Sequence, residues 1–187
     1  MEQELFVCLP SWRGYNGHME KEEKIILVSD NHGQTAGLQY LRDTYKGNYS
    51  FIHCGDAELP DYLLDGFLIV QGNNDMYQQF PMNRIITLGD HRIYVCHGHR
   101  DMFYGQFDML ADRCKELGCD IGFFGHSHVP FDKTVDGVRL LNPGSIWHNR
   151  DGSDPSYMIV TLKGKDIEVQ RMTFKKEDLL LEKERVL

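Results

Sequence analysis

Five apolar runs along the chain each end in a short polar string. These runs cover residues 24–28, 50–54, 67–70, 92–96 and 121–124. Apolar side chains on both faces are typical of strands buried on both sides of a sheet. Apolar residues at helical spacing predict helices over 36–46 and 106–117. Strands that alternate with helices predict an α/β fold.

The pattern changes towards both ends of the chain. Shorter strands are predicted at 137–141, 156–162 and 166–174, followed by a charged terminal helix over 175–187. Residues 1–23 do not fit the pattern, and Met19 is a second methionine shortly before the first strand. We interpret 1–23 as an N-terminal extension, from an upstream start or a cloning remnant, and 24–187 as a single domain. An ordered arm packed on that domain is the alternative interpretation of 1–23.

Composition narrows the classes of function. The 187 residues carry a formal net charge of −8. This charge disfavours nucleic-acid binding, because sequence-independent binding of the phosphate backbone needs a basic face. The five cysteines form no CxxC pair, which indicates a reduced, cytoplasmic protein. Cys54 and Cys96 are interpreted mainly as buried core residues. No apolar run approaches the roughly 18 residues that a membrane span requires.

The polar strings at the strand ends carry side chains that bind metal ions. The strings are SDNHG, CGD, GNND, HGH and GHSH. Ligands in open α/β sheets bind outside the carboxyl ends of the strands, so these distant strings are expected to converge on one rim. Carboxylate, amide and imidazole groups suit hard or borderline divalent ions, and the set is large enough for two. Its seven members are Asp30, His32, Asp56, Asn73, His97, His126 and His128.

In this order, the strings DxH, GD, GNxD, HGH and GHxH resemble the calcineurin-like metallophosphoesterases, and more closely their small single-domain bacterial and archaeal branch. The Asn-Pro-Gly-Ser turn at 142–145 also matches that branch. The resemblance covers roughly residues 24–174. It implies a four-layer αββα sandwich with two facing mixed β-sheets flanked by helices. It also implies two metal ions. The first would be held by Asp30, His32, Asp56 and His128. The second would be held by Asp56, Asn73, His97 and His126.

The chemistry of these side chains agrees with that assignment. Asp56 is the best bridge because a carboxylate offers one oxygen to each ion. Asn73 is a ligand that adds no negative charge, so the centre stays cationic and attracts a phosphoester. Such a centre hydrolyses the ester by in-line attack of a metal-bridging hydroxide. Manganese is the expected metal from the resemblance, and zinc, iron or nickel also suit these ligands.

Three further polar residues lie within the strings. Asn74 stands where many larger relatives have histidine, and asparagine cannot deliver a proton at neutral pH. We therefore expect Asn74 to contact substrate, and diesters or activated esters to be preferred. His99 contacts a substrate phosphate, orients a metal ligand or has a structural role. Asp75 either hydrogen-bonds a ligating histidine from outside the metal shell or caps a helix.

The function predicted from the sequence is a dinuclear metal-dependent phosphoesterase, a phosphodiesterase by preference, acting on a small phosphoester. The alternatives are a non-catalytic interaction scaffold of the same fold, and a nuclease, which the charge of −8 disfavours. A homo-oligomer is compatible with the apolar groups of the terminal helix. Specificity is expected in the loops 76–90, 99–106 and 129–136.

Overall fold

Two five-stranded sheets form the described part of the protein. The computed structural model describes residues 22–47, 49–103, 106–175 and 179. In chain order, the elements are β1 (Glu22–Val28), α1 (Ala36–Thr44), β2 (Tyr49–His53), a 3₁₀ turn (Asp61–Leu63), β3 (Phe67–Ile69), β4 (Asn83–Leu88), β5 (His91–Cys96), α2 (Asp108–Glu116), β6 (Ile121–Phe123), β7 (Phe131–Val135), β8 (Val138–Asn142), β9 (Ser156–Lys163) and β10 (Asp166–Thr173).

Both sheets are mixed. Sheet A has the strand order β10-β9-β1-β2-β3, and sheet B has the order β4-β5-β6-β8-β7. The strands β1, β2 and β3 are parallel, whereas β9 pairs antiparallel with β1, and β10 pairs antiparallel with β9 at the edge. In sheet B, β5, β6 and β8 are parallel, with β4 and β7 antiparallel at the two edges. The carboxyl ends of the parallel strands in each sheet therefore share one end of that sheet.

The apolar runs are continuous because the central strands are buried on both faces. In β1, Ile25 and Leu27 enter the layer between the sheets, whereas Ile26 and Val28 pack outward near α1. Strand β5 repeats the alternation, with Cys96 on the side of α2. Three apolar clusters thus separate four layers, in the order α1, sheet A, sheet B and α2. The predicted αββα sandwich with two facing mixed sheets is confirmed.

Two strands were missed by the sequence prediction, which was therefore wrong to treat 76–90 and 129–136 as loops throughout. Strand β4 lies at one edge of sheet B, and none of its six residues is fully buried. Strand β7 lies at the other edge and is similarly exposed. An edge strand with a solvated face lacks the apolar run that identifies the central strands.

The predicted ends of the chain lie mostly outside the described residues. β1 begins at Glu22, so the last two residues of the predicted extension belong to a strand. In the predicted terminal helix, Leu179 is buried in the cluster around α1, and residues 176–178 and 180–187 are outside the described part. Neither described helix has the length and apolarity of a membrane span.

Candidate metal centre

The loops after β1, β2, β3, β5 and β6 meet at one end of the molecule, which we call the rim. Adjacent loops are joined by backbone hydrogen bonds. The amide of Asp30 donates to the carbonyl of Gly55 at 3.1 Å, and the amide of Gly125 donates to the carbonyl of His97 at 2.9 Å. The two sheets are also joined here, because His97 Nδ1 donates to the Cys54 carbonyl at 2.7 Å. All seven predicted metal ligands lie in these rim loops.

Five of the seven ligands have a left-handed backbone, with φ between +44° and +65°. They are Asp30, His32, Asp56, His126 and His128. Non-glycine residues rarely adopt this conformation, although aspartate and histidine tolerate it better than most. Such conformations persist where the surrounding structure imposes them, and they cluster at functional sites. The backbone of the rim is therefore shaped to direct these side chains.

One group of ligand atoms brings together Asp30, His32 and His128. The Nε2 atoms of the two histidines are 3.1 Å apart. Asp30 Oδ1 is 3.2 Å from His128 Nε2. Neighbouring ligands of an octahedral ion with bonds of about 2.1 Å are separated by about 3 Å, so these separations suit a shared ion.

A second group lies beside the first and brings together Asp30, Asp56 and His97. His97 Nε2 is 3.4 Å from Asp56 Oδ2 and 3.1 Å from Asn73 Oδ1. The ring of His126 lies next to that of His97, with 5.2 Å between their centroids, outside the close group. Six of the seven predicted ligands thus belong to these two groups or contact them. The seventh, His126, lies beside the second group.

Hydrogen bonds leave the Nε2 atoms of three histidines available to a metal. His32 Nδ1 faces Glu58 Oε1 at 2.6 Å, and His128 Nδ1 faces the His148 carbonyl at 3.1 Å. His97 Nδ1 faces the Cys54 carbonyl. Because carbonyl and carboxylate oxygens only accept, each Nδ1 carries the proton. Each Nε2 then presents a lone pair to the centre, as a metal ligand requires.

The buried charges of the centre also fit cations. Asp30 is fully buried and Asp56 is 2% exposed. In the described part of the chain, their ion-pair partners are histidines alone, and Asp30 Oδ1 accepts no hydrogen bond. Buried carboxylates need pairing or a metal to offset their lost hydration. The residues present therefore fit two divalent ions.

Asp56 and His97 are electrostatically coupled. Burial raises the pKa of Asp56, but His97 and Asn74 outweigh it and hold the pKa well below its ordinary value. Burial lowers the pKa of His97, but Asp56 and Asp30 outweigh it and raise the pKa overall. In the metal-free chain a second proton on His97 therefore stabilises the buried carboxylates. Metal binding has to displace this proton, so metal affinity rises with pH.

The residues after β3 hold Asp56 from two sides. The Asn74 amide donates to Asp56 Oδ1 at 2.8 Å, and its side chain donates to Oδ2 at 2.7 Å. Asp75 is buried and accepts hydrogen bonds from the backbone amides of Asp56, Glu58 and Gly72 at 2.8–2.9 Å. Asp75 thus supports the ligand loop through its backbone, in place of the predicted histidine contact or helix cap.

His99 lies on the open side of the centre. Its half-buried ring is 5.5 Å from that of His97 and 6.2 Å from that of His126, measured between centroids. Its Nδ1 atom is buried and has no hydrogen-bond partner among the described residues. Burial is the main cause that lowers the pKa of His99. The ring is therefore positioned to present a neutral polar edge next to the metal ligands.

Two glycines allow the loops to approach the carboxylates. A Cβ on Gly72 would collide with the side chain and the amide of Asp56. A Cβ on Gly125 would collide with Ser29 Oγ and lie 2.8 Å from Asp30 Oδ2. Glycine is required at both places because any side chain would occupy the volume of a ligand.

Several supporting residues were missed by the sequence analysis. Ser145 Oγ donates to the Asp30 carbonyl at 2.7 Å, and Asn142 Nδ2 donates to the Gly125 carbonyl at 2.7 Å. The Asn-Pro-Gly-Ser string identified this turn but not its contacts. Glu58 carried no recognisable signal. His148 belongs to none of the five strings, and its carbonyl lies at the site.

Residues 24–165 match the calcineurin-like phosphoesterase superfamily domain. The chain belongs to this superfamily. It is 34% identical over 142 residues to YsnB of Bacillus subtilis, a probable metallophosphoesterase, with 74% of this chain and 84% of that protein covered. The crystal structure of a Streptococcus pneumoniae protein, described as a predicted phosphoesterase, superposes with a TM-score of 0.76 at 31% identity, covering 82% of this chain and 90% of that one.

More distant structures share the fold alone. Vps29 of Entamoeba histolytica in complex with zinc superposes with a TM-score of 0.63 at 22% identity, covering 81% of this chain and 99% of that one. Superfamily membership and the converging ligands together support a metal-dependent phosphoesterase.

Proposed function

We propose that this calcineurin-like protein is a dinuclear phosphoesterase that prefers phosphodiesters. The observation that carries the proposal is the convergence of three histidine Nε2 atoms on two buried carboxylates. We assign one ion to Asp30, His32 and His128, and the other to Asn73, His97 and His126, with Asp56 shared between them. When bound, two divalent ions supply Lewis acidity towards phosphoryl oxygens and bring the pKa of water towards neutrality.

The chain supplies orientation and one open face. Asp30, Asp56 and His97 form a buried floor, whereas Asn73 and Asn74 are exposed. A phosphoester therefore approaches from the side of the asparagines and His99. Asn74 Nδ2 and the free edge of His99 are hydrogen-bonding groups for its non-bridging oxygens.

The preference for diesters rests on Asn74 and on an adjacent cleft. Asn74 cannot protonate an alkoxide leaving group, so esters with poor leaving groups should react slowly. A cleft of about 390 Å³ opens beside His97 and His99, and Arg100, Arg113 and Tyr94 line it. We assign this cleft to an organic substituent of the ester. The guanidinium of Arg100 favours a substituent that carries oxygen or charge, whereas that of Arg113 is already paired with Glu116 at 3.1 Å.

Metal identity and location belong to the same proposal. The site contains oxygen and nitrogen ligands and no thiolate, which suits manganese and also admits zinc, iron or nickel. Cys54, Cys96, Cys114 and Cys119 are buried free thiols, and they suit the reducing conditions of the cytoplasm. The substrate proposed is a small molecule, because the net charge of −8 opposes a nucleic-acid ligand.

The test is hydrolysis by metal-stripped protein with Mn²⁺ added back. Bis(4-nitrophenyl) phosphate and 4-nitrophenyl phosphate provide the matched diester and monoester. We expect activity to depend on metal, to be higher on the diester, and to fall by about 10³-fold in Asp56→Asn and His97→Ala, which lose charge stabilisation at the metal centre. The exposed Asp90, at the opposite end of the sheets, provides the control Asp90→Asn.

Three results would contradict parts of this proposal. A folded protein that binds two ions but hydrolyses neither ester would favour the interaction scaffold. Equal rates on an alkyl monoester and the aryl diester would remove the argument from Asn74. Activity on DNA with a steep dependence on salt would favour a nuclease.

A further inference from the structure

Glu58 makes the shortest of the three contacts to the Nδ1 atoms of His32, His97 and His128. Its Oε1 lies 2.6 Å from His32 Nδ1. The corresponding atoms of His97 and His128 face the backbone carbonyls of Cys54 and His148. Among these three histidines, His32 therefore differs in having a carboxylate behind its ring.

The backbone holds Glu58 in this position. Its φ is +52°, a left-handed conformation that glutamate rarely adopts. The Glu58 amide donates to Asp75 Oδ1 at 2.8 Å, the same carboxylate that holds the amide of Asp56. The loop after β1, which carries His32, is also joined to this segment, because the Gly33 amide donates to the Ala57 carbonyl at 2.9 Å. Both ends of the Glu58–His32 contact are thus tied to the ligand loops.

A carboxylate behind an imidazole has two effects on the metal that the imidazole binds. It fixes the proton on Nδ1 and the ring orientation, and it makes Nε2 a better electron donor. Since Nε2 of His32 points towards Asp30 and His128, both effects act on the ion at those residues. His97, a ligand of the other ion, has the backbone carbonyl of Cys54 behind its ring instead.

We propose that Glu58 is a positioning residue that selectively strengthens one of the two metal sites, the one formed by Asp30, His32 and His128. The inference rests on the dinuclear centre of the proposed function. It makes the two sites unequal through a residue that no ion touches. Glu58→Ala should remove both orientation and charge, whereas Glu58→Gln keeps an acceptor oxygen and removes only the charge.

The test is calorimetric titration of Mn²⁺ into the metal-stripped full chain, which measures affinity without activity. We expect two sites in the unsubstituted protein. Glu58→Ala should weaken one of them by about 10- to 100-fold, the usual effect of losing such a partner, and leave the other within about twofold. Glu58→Gln should give a smaller loss at the same site.

The chain offers a matched control at the opposite end of sheet B. His91 Nδ1 lies 2.6 Å from Asp120 Oδ2, the same contact between the same groups. The two carboxylate side chains are also similarly exposed, 39% for Glu58 and 45% for Asp120. Asp120→Asn removes a histidine–carboxylate pair remote from the rim and should leave both Mn²⁺ affinities unchanged.

The outcomes separate this inference from the proposed function. Two sites in the unsubstituted protein that Glu58→Ala leaves unchanged, or weakens equally, would overturn the role of Glu58 alone. A folded protein that binds no Mn²⁺, Zn²⁺, Fe²⁺ or Ni²⁺ would overturn the dinuclear centre and the role of Glu58 together. Circular dichroism of each variant checks folding, and Glu58→Gln keeps the test available if Glu58→Ala does not fold.

Discussion

The two ends of the paired sheets are built from the same strands but have different backbones. The rim has six non-glycine residues with left-handed φ, namely the five metal ligands noted above and Glu58. At the far end, which comprises the turns 89–90, 136–137 and 164–165 and the starts of β5 and β6, Asp136 is the one such described residue. Asp136 precedes Gly137 in a tight hairpin, where positive φ at both positions is ordinary.

A histidine–carboxylate contact does not by itself make a metal site. Both ends contain a histidine that contacts a carboxylate at 2.6 Å. Within the part of the chain that the structure describes, the rim alone surrounds its histidine with further buried acids and imidazoles, supported by Asp75 and Ser145. Convergence from several strands, with a backbone held out of its preferred conformation, is therefore the informative feature.

The largest expected effect comes from glycine substitutions at the two ends. Gly72→Ala should reduce metal-dependent activity by more than about 100-fold and cost about 1–3 kcal/mol of unfolding free energy, because its Cβ collides with Asp56. Gly137→Ala meets open space, and its φ of +84° costs only about 1 kcal/mol. Activity assays and urea unfolding of both variants measure the difference. Equal activity in the two variants would show that the close approach at Gly72 is unimportant.

The next largest effect is that His53, at the end of β2, makes the unfolding free energy depend on pH. Burial lowers the pKa of His53 to about 4, against about 6.5 in an unfolded chain. Between these values the unfolded state binds more protons, so stability falls as pH drops from 6.5 to 4, by about 3 kcal/mol from this group.

Urea unfolding in chelator across this pH range tests the prediction, with His53→Gln as the variant. Glutamine can still bond Asn31, which His53 Nε2 contacts at 2.9 Å, but it does not titrate. The variant should have a shallower slope of unfolding free energy against pH. An unchanged slope would assign the dependence to other groups.

Metal binding should stabilise the protein through the rim alone. Free Mn²⁺ at about 100 times its dissociation constant adds about 2.7 kcal/mol to the unfolding free energy for each site. Asp30→Asn should lose most of this gain, whereas Asp120→Asn at the far end should keep it. Thermal unfolding with Mn²⁺ and with chelator measures the gain, and a similar gain in both variants would place the metal elsewhere.

The smallest effect concerns the cleft beside the metal centre. Arg100 is exposed and lines the cleft, and in the described part of the chain it forms no ion pair. Arg100→Gln should raise KM for a charged diester about fivefold with little change in kcat, as expected for the loss of about 1 kcal/mol of uniform binding. Arg92→Gln at the far end is the control. A loss in kcat with constant KM would instead place Arg100 at the reacting phosphoryl group.

Much of this arrangement could be predicted from the sequence because the central strands are buried on both faces. Their apolar runs identify the strand ends, and strand ends locate the ligands. The edge strands β4 and β7 carry no such run, so they were missed. The roles of Glu58 and Asp75 depend on a left-handed backbone and on bonds to amides, and neither leaves a periodic pattern in the sequence.

The origin of the ligands has a mechanical consequence. Asp30, His32, Asp56 and Asn73 follow strands of sheet A, whereas His97, His126 and His128 follow strands of sheet B. Away from the rim, the sheets meet mainly through the apolar cluster between them, with hydrogen bonds such as that from Lys165 Nζ to the Asp90 carbonyl at 2.8 Å. Ions bound at the rim would cross-link the two sheets at that end through their ligands. Amide hydrogen exchange near the rim should then slow on metal binding, while β4 and β7 at the edges keep their freedom to open.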